Sequence, residues 1–138
     1  MAFPIQQQVI DFHNKFGHPV RSEPQTIEAG EALQAFSFIE EELYELGDAL
    51  YKVVPCDCPG EGNCDGPEEY APDLVEVADA LGDIVFTSYG MAARHGIDLD
   101  RVLAAICESN MSKTANGQNK ILKGEDYFPP RIAEALAV

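Results

Sequence analysis

Ile5, Val9, Phe12 and Phe16 recur at steps of three and four, the spacing of one helix face, and Gly17 supplies a stop. His18 to Pro24 reads as a loop punctuated by Pro19 and Pro24. A longer helix is predicted from about Thr26 to Lys52, where Leu33, Phe36, Ile39, Leu43, Leu46 and Leu50 step by threes and fours and form a packed seam. Pro55 ends it, and the Pro-, Gly-, Asp- and Cys-rich stretch from Pro55 to Pro72 is a loop insertion. Pro72–Asp73 opens a third helix, with Asp73 as N-cap and Glu76 three residues on, a capping box with Asp in the Ser/Thr place. Its buried stripe is Leu74, Val77/Ala78, Leu81 and Ile84/Val85, and Gly96 suits its C-terminal turn. Asp98 caps a fourth helix through about Met111. The tail, 114–138, turns at Asn116–Gly117 and ends in a short helix after Pro129–Pro130. No segment alternates like a strand. These patterns predict an all-α fold, four main helices with antiparallel neighbours, in a single domain over 1–138.

Charge changes this picture most. The chain's 138 residues carry 24 acids and 9 bases, a net of −15 with a pI near 4.3. That argues against a nucleic-acid polymer or an anionic membrane surface as partner. The excess is local: residues 39–92 hold 14 acids and one base, Lys52, while residues 93–138 balance six against six. The opening MAFPIQQQVIDF has no basic region followed by an apolar core, so no signal peptide is expected. The uncharged run from Ile84 to Arg94 is far too short to span a bilayer. Four cysteines do not make a secreted disulfide framework. The expected home is the cytoplasm.

The acids are also arranged. On the second helix Glu42 and Glu45 lie about 60° apart and Glu41 and Glu45 about 40° apart; on the third, Glu76, Asp79 and Asp83 fall within about 60°. A solvated acidic face is the plain alternative, but such faces intersperse Lys or Arg, and no basic residue occurs between Lys52 and Arg94. Facing acidic ridges repel by roughly a few tenths of a kcal/mol per pair unless a cation lies between them. Oxygen-only ligands indicate a hard ion, Mg²⁺ or Mn²⁺. A di-iron bundle needs Glu-x-x-His, and none of His13, His18 and His95 follows a Glu by three.

Glu-Glu-x-x-Glu on one helix and Glu-x-x-Asp on the next resembles the signature of the MazG-like, all-α nucleoside triphosphate pyrophosphohydrolases. That superfamily includes dimeric dUTPases and phosphoribosyl-ATP pyrophosphohydrolase. The likeness extends to Asp11-Phe12-His13-x-Lys15-Phe16-Gly17, Tyr89-Gly90, His95-Gly96-Ile97-Asp98-Leu99-Asp100, Ser109-Asn110-Met111-Ser112-Lys113 and Leu122-Lys123-Gly124-x-x-Tyr127-x-Pro129-Pro130, in the order of the phage and bacterial branch. It covers roughly residues 9–54 and 73–132.

The resemblance implies a four-helix MazG-like bundle and a set of roles. Glu42, Glu45, Glu76 and Asp79 would bind Mg²⁺, with Asp83 an extra ligand or an acid behind one. Glu41 would bind a further ion or orient and deprotonate the attacking water. Water would attack the α–β phosphate region and release nucleoside monophosphate and pyrophosphate. Asn110, Lys113 and Lys123 would offer donors to phosphate oxygens, and Tyr127 would stack on base or sugar or pin the tail. His13 is a substrate-contact candidate by likeness, although packing within the first helix is the plainer reading.

One departure is the thirty residues between Glu45 and Glu76, a little more than the family's usual spacing; the surplus is the loop with Cys56, Cys58 and Cys64. Three thiolates with Asp57 or Asp65 could hold Zn²⁺, but the Cys-x-Cys spacing and odd count favour a reduced loop that serves base selectivity or a subunit contact. Gly47 and Gly82 each sit mid-helix in a Leu-Gly-Asp triplet, which close helix approach would explain. The expectation is a Mg²⁺-dependent enzyme that clears surplus nucleoside triphosphates. A seam this long needs a partner to cover it, which predicts a homodimer or homotetramer. The alternatives are a phosphoribosyl-ATP pyrophosphohydrolase-like activity and a non-catalytic cation-binding helical module.

Overall fold

Single residues set most of the helix ends. The computed structural model describes residues 4–54, 69–118 and 120–137. In chain order the elements are α1 (Ile5–Phe16), α2 (Ala29–Leu50), β1 (Val53–Val54), β2 (Glu69–Tyr70), α3 (Leu74–His95), α4 (Leu99–Met111), β3 (Thr114–Ala115), β4 (Ile121–Leu122) and α5 (Ile132–Leu136). Gly17 stops α1 at φ 72°, a left-handed conformation that side chains resist. Asp73 opens α3 by accepting from the backbone N–H groups of Val75 (2.9 Å) and Glu76 (3.2 Å), and Asp98 caps α4 through Arg101 N–H. Gly96 ends α3 at φ 68°, and a Cβ there would lie 2.1 Å from the carbonyl oxygen of Glu23.

The described residues group into two compact units, with α3 running through both. The first comprises the chain up to Glu28 and from Tyr89 onward. Val9 is fully buried in this unit, and Tyr89, Ala92 and Ala93 are buried too. Gln6 is buried with both ends of its amide engaged: Nε2 donates to the Tyr89 carbonyl and Oε1 accepts from Leu99 N–H. The Tyr89 hydroxyl donates to Asp100 (2.7 Å), and burial together with that bond pushes the phenol up to about 12. Backbone bonds from Arg21 to Ala93 and from Gln25 to His95 tie the loop before α2 to the end of α3. Ser109 donates to the Phe128 carbonyl, and Phe128 N–H donates to the Ser112 hydroxyl, so the tail is pinned along α4.

The second unit, Ala29–Ser88, is a helical hairpin. The last turns of α2 (Glu45, Asp48, Ala49) share a cleft with the first turns of α3 (Glu76, Asp79, Ala80), so the helices run antiparallel. β1 and β2 close the hairpin's base as an antiparallel pair in the register Val53↔Tyr70 and Val54↔Glu69. Ala71 N–H extends the pairing to the Lys52 carbonyl.

The all-α architecture with four main helices stands as the sequence predicts, with adjustments. α2 starts at Ala29 and stops at Leu50, inside the expected span. Among the described residues, two two-residue antiparallel pairs occur, β1–β2 and β3–β4; neither is long enough to alternate, so no pattern announces it. The predicted seam is largely open in the single chain. Leu33, Phe36 and Leu43 are 68%, 52% and 53% exposed, and Leu74 and Leu81 are 80% and 50% exposed, whereas Ala35, Ala49 and Ala80 are buried. An apolar stripe this wide exceeds what one facing helix covers. Close approach does not account for Gly47 or Gly82, since a Cβ at either would meet nothing within 4 Å. The cysteine loop, with Cys56, Cys58, Cys64, Asp57 and Asp65, lies outside the described residues. Among the described residues, no helix is long and apolar enough to cross a membrane.

Candidate active site

Within the helical hairpin, α2 and α3 each bring one ridge of acids to a common cleft of about 410 Å³, lined by Glu45, Asp48, Ala49, Lys52, Glu76, Asp79 and Ala80. Three of the four acids expected as metal ligands therefore line one cavity. Glu42 lies one turn back on α2, with Glu45, Asp83 and Glu41 close enough for their charges to act on it. Burial first, and those three charges next, raise its carboxyl above the usual carboxylate range, helped by a proton shared with Glu45. With both carboxylates ionised no such proton exists, and Glu42 Oε2 is buried with no hydrogen-bond partner. A buried acceptor without a donor marks a place where a cation would be satisfied.

Two lining residues escaped the sequence reading. Asp48 continues the ridge of Glu41 and Glu45 by a further three positions, a signal obscured by its place in the Leu-Gly-Asp triplet. Lys52 registers in the sequence only as the sole base of the acidic segment. Its ammonium donates to both carboxylate oxygens of Glu76, at 3.0 and 3.2 Å, and stands 3.9 Å from Asp73 Oδ2. These contacts with Glu76 hold the ammonium's pKa above its ordinary value. The capping box is thus half formed: Asp73 caps α3, while the Glu76 carboxylate takes Lys52.

The remaining candidates belong to the first unit. Lys113 Nζ donates to Asn110 Oδ1 (2.8 Å) at the end of α4, and Lys123 Nζ lies 4.9 Å from the centre of the Tyr127 ring. Lys113 also lines a cleft of about 400 Å³ with Ser112, Thr114, Gly124, Glu125 and Asp126. His13 has a different post. It is buried, its Nδ1 donates to the Pro19 carbonyl (3.1 Å), and a Cβ on Gly90 would lie 3.0 Å from its Nε2. Packing accounts for that ring without a substrate.

The sequence profile of the phosphoribosyl-ATP pyrophosphohydrolase family matches residues 9–110, which includes α2, α3 and every acid of the cleft. The chain belongs to this family. It is a pyrophosphohydrolase of the MazG-like superfamily, acting on phosphoanhydride bonds of nucleotides. No curated protein matches the chain.

Pyrophosphohydrolases of this group are generally dependent on a divalent cation, and the donor set fits one. The donors are hard carboxylate oxygens, Glu42 Oε2 is orphaned, and an ammonium already stands against Glu76. Among the described residues, no three acid, His or Cys side chains converge closely enough to grip an ion as they stand. Glu76, drawn to Lys52, would have to turn to serve as a ligand.

Proposed function

We propose that this pyrophosphohydrolase carries out Mg²⁺-dependent hydrolysis of nucleoside and deoxynucleoside triphosphates to monophosphate and pyrophosphate, removing surplus or unwanted nucleotides from the pool. The observation that carries the reading is the cleft between α2 and α3, to which Glu45, Asp48, Glu76 and Asp79 bring their carboxylates, with the orphaned Glu42 carboxylate one turn back on α2. Glu42, Glu45, Glu76 and Asp79 would hold the ion, with Asp83 beside them. When bound, Mg²⁺ supplies charge neutralisation for the phosphates and makes water more acidic. Glu41 holds the attacking water and takes its proton. The water oxygen bonds to phosphorus in the α–β region as the bridging P–O bond breaks, and pyrophosphate leaves. Asn110, Lys113 and Lys123 are the proposed donors to phosphate oxygens, and Tyr127 the surface for base or sugar. The family match runs through both compact units, which supports reading 1–138 as one domain.

The test is a substrate panel. Purified protein with Mg²⁺ and the eight common nucleotides should release pyrophosphate and monophosphate rather than orthophosphate and diphosphate. Glu42→Gln and Asp79→Asn should abolish turnover with the helical signal intact, and Lys113→Ala and Lys123→Ala should raise KM. Absence of pyrophosphate from every nucleotide, even as Mg²⁺ raises Tm, would leave a cation-binding helical module as the better description. A second reading follows from the family that the profile describes: phosphoribosyl-ATP, or a nucleotide like it, is the substrate. It belongs in the same panel, and turnover confined to it decides between the two.

A further inference from the structure

Lys52 stands on the rim of the acid cleft where its backbone is held on both sides. α2 ends two residues before it, β1 begins directly after it, and its carbonyl accepts from Ala71 N–H at 3.1 Å. Its side chain is 45% exposed and lies on a four-carbon stem, so the ammonium can swing while the backbone stays put. It spans from the end of α2 to the first turn of α3 and occupies both oxygens of Glu76, with Asp73 alongside. A divalent ion that takes Glu76 and an ammonium bridging both its oxygens compete for the same lone pairs. Metal loading therefore strands a cation at the rim of a cleft that receives a polyphosphate.

We propose that Lys52 is the cleft's internal counter-cation: it holds Glu76 while the site is empty of metal, is released on loading, and then contacts the polyphosphate of the substrate. The inference rests on the acid cleft being the metal site. Lys52 is a positioning residue in the first state and a substrate contact in the second, and the two roles have opposite signatures. Removing the ammonium removes a competitor for the metal and a donor to the nucleotide.

The experiment measures Mn²⁺ binding to the full chain without nucleotide by electron paramagnetic resonance, and KM separately with saturating Mg²⁺. Lys52→Met should tighten Mn²⁺ binding, up to about fivefold for an exposed pair, while raising KM with kcat little changed. Lys52→Arg, whose planar fork grips a carboxylate with two parallel bonds, should bind Mn²⁺ no more tightly than the parent and restore KM. Lys52→Gln replaces the Met variant if that fails to fold. Unchanged or weaker Mn²⁺ binding in the Met or Gln variant overturns the counter-cation role, and an unchanged KM overturns the phosphate contact. Glu42→Gln and Asp79→Asn separate this from the parent reading. If both retain parental Mn²⁺ affinity, the metal site itself is misassigned. If both lose it and Lys52→Met binds no more tightly, the role of Lys52 alone fails.

Discussion

The surroundings of His13 favour a neutral ring. Burial pushes its pKa below 6.5, and the nearby His18 and Arg94 push the same way against the bond to the Pro19 carbonyl. The sign follows from which state binds the proton first. On acidification the unfolded chain protonates His13 near 6.5 while the folded chain resists, so stability is unaffected above about pH 6.5 and falls as pH drops below it. Tm measured from pH 8 to pH 5 should decline below that point, and His13→Gln should flatten the decline. A slope that survives the substitution assigns it to other groups. At this scale the sequence is informative about identity and poor about environment. It marks Glu42 as a ligand candidate, but nothing in Glu-Glu-x-x-Glu says that one oxygen of Glu42 is buried without a donor.

Helix boundaries were the most legible features, because they depend on residues within a turn of one another. Gly17, Asp73, Asp98 and Gly96 act where the spacing puts them. Tertiary partners override the local signal elsewhere. Glu76 has the position of a capping-box acid, yet its carboxylate goes to Lys52, which is 24 residues away. The mid-helix glycines test the opposite case, a local rule with no tertiary excuse within the chain. A Cβ at Gly82 meets open space, so Gly82→Ala should stabilise the protein by about 1 kcal/mol, roughly 3 °C in Tm. A fall in Tm instead would reveal a neighbour supplied by another subunit.

For the molecule as a whole, the apolar faces of α2 and α3 ask for cover. Leu33, Leu43, Leu74 and Leu81 are at least half exposed in the single chain, and large apolar side chains left open on two helices call for a covering surface. Association into a homodimer or homotetramer is the expected outcome, measured by sedimentation equilibrium, and Leu43→Glu should shift the protein toward monomer. A monomeric parent at micromolar concentration would count against it. Legibility at this scale is divided. The acids could be found from helical spacing because each ridge is local to its helix. Asp48 and Lys52 join them only once α2 and α3 fold back on each other, and no one-dimensional pattern records that closure.

The two-residue ladder of β1 and β2 has a consequence for how this chain can vary. Its last pair, Val54↔Glu69, brings the ends of the intervening stretch side by side, and the closure entropy of a connection grows only slowly with its length. The ladder therefore fixes where a connection between Val54 and Glu69 begins and ends, whatever its length. Exchanging residues 55–68 for Asn-Gly, the pair suited to a tight two-residue turn, should leave Mn²⁺ affinity within about twofold of the parent. An anchorage of this kind tolerates connections of different length while the ends of α2 and α3 keep their places.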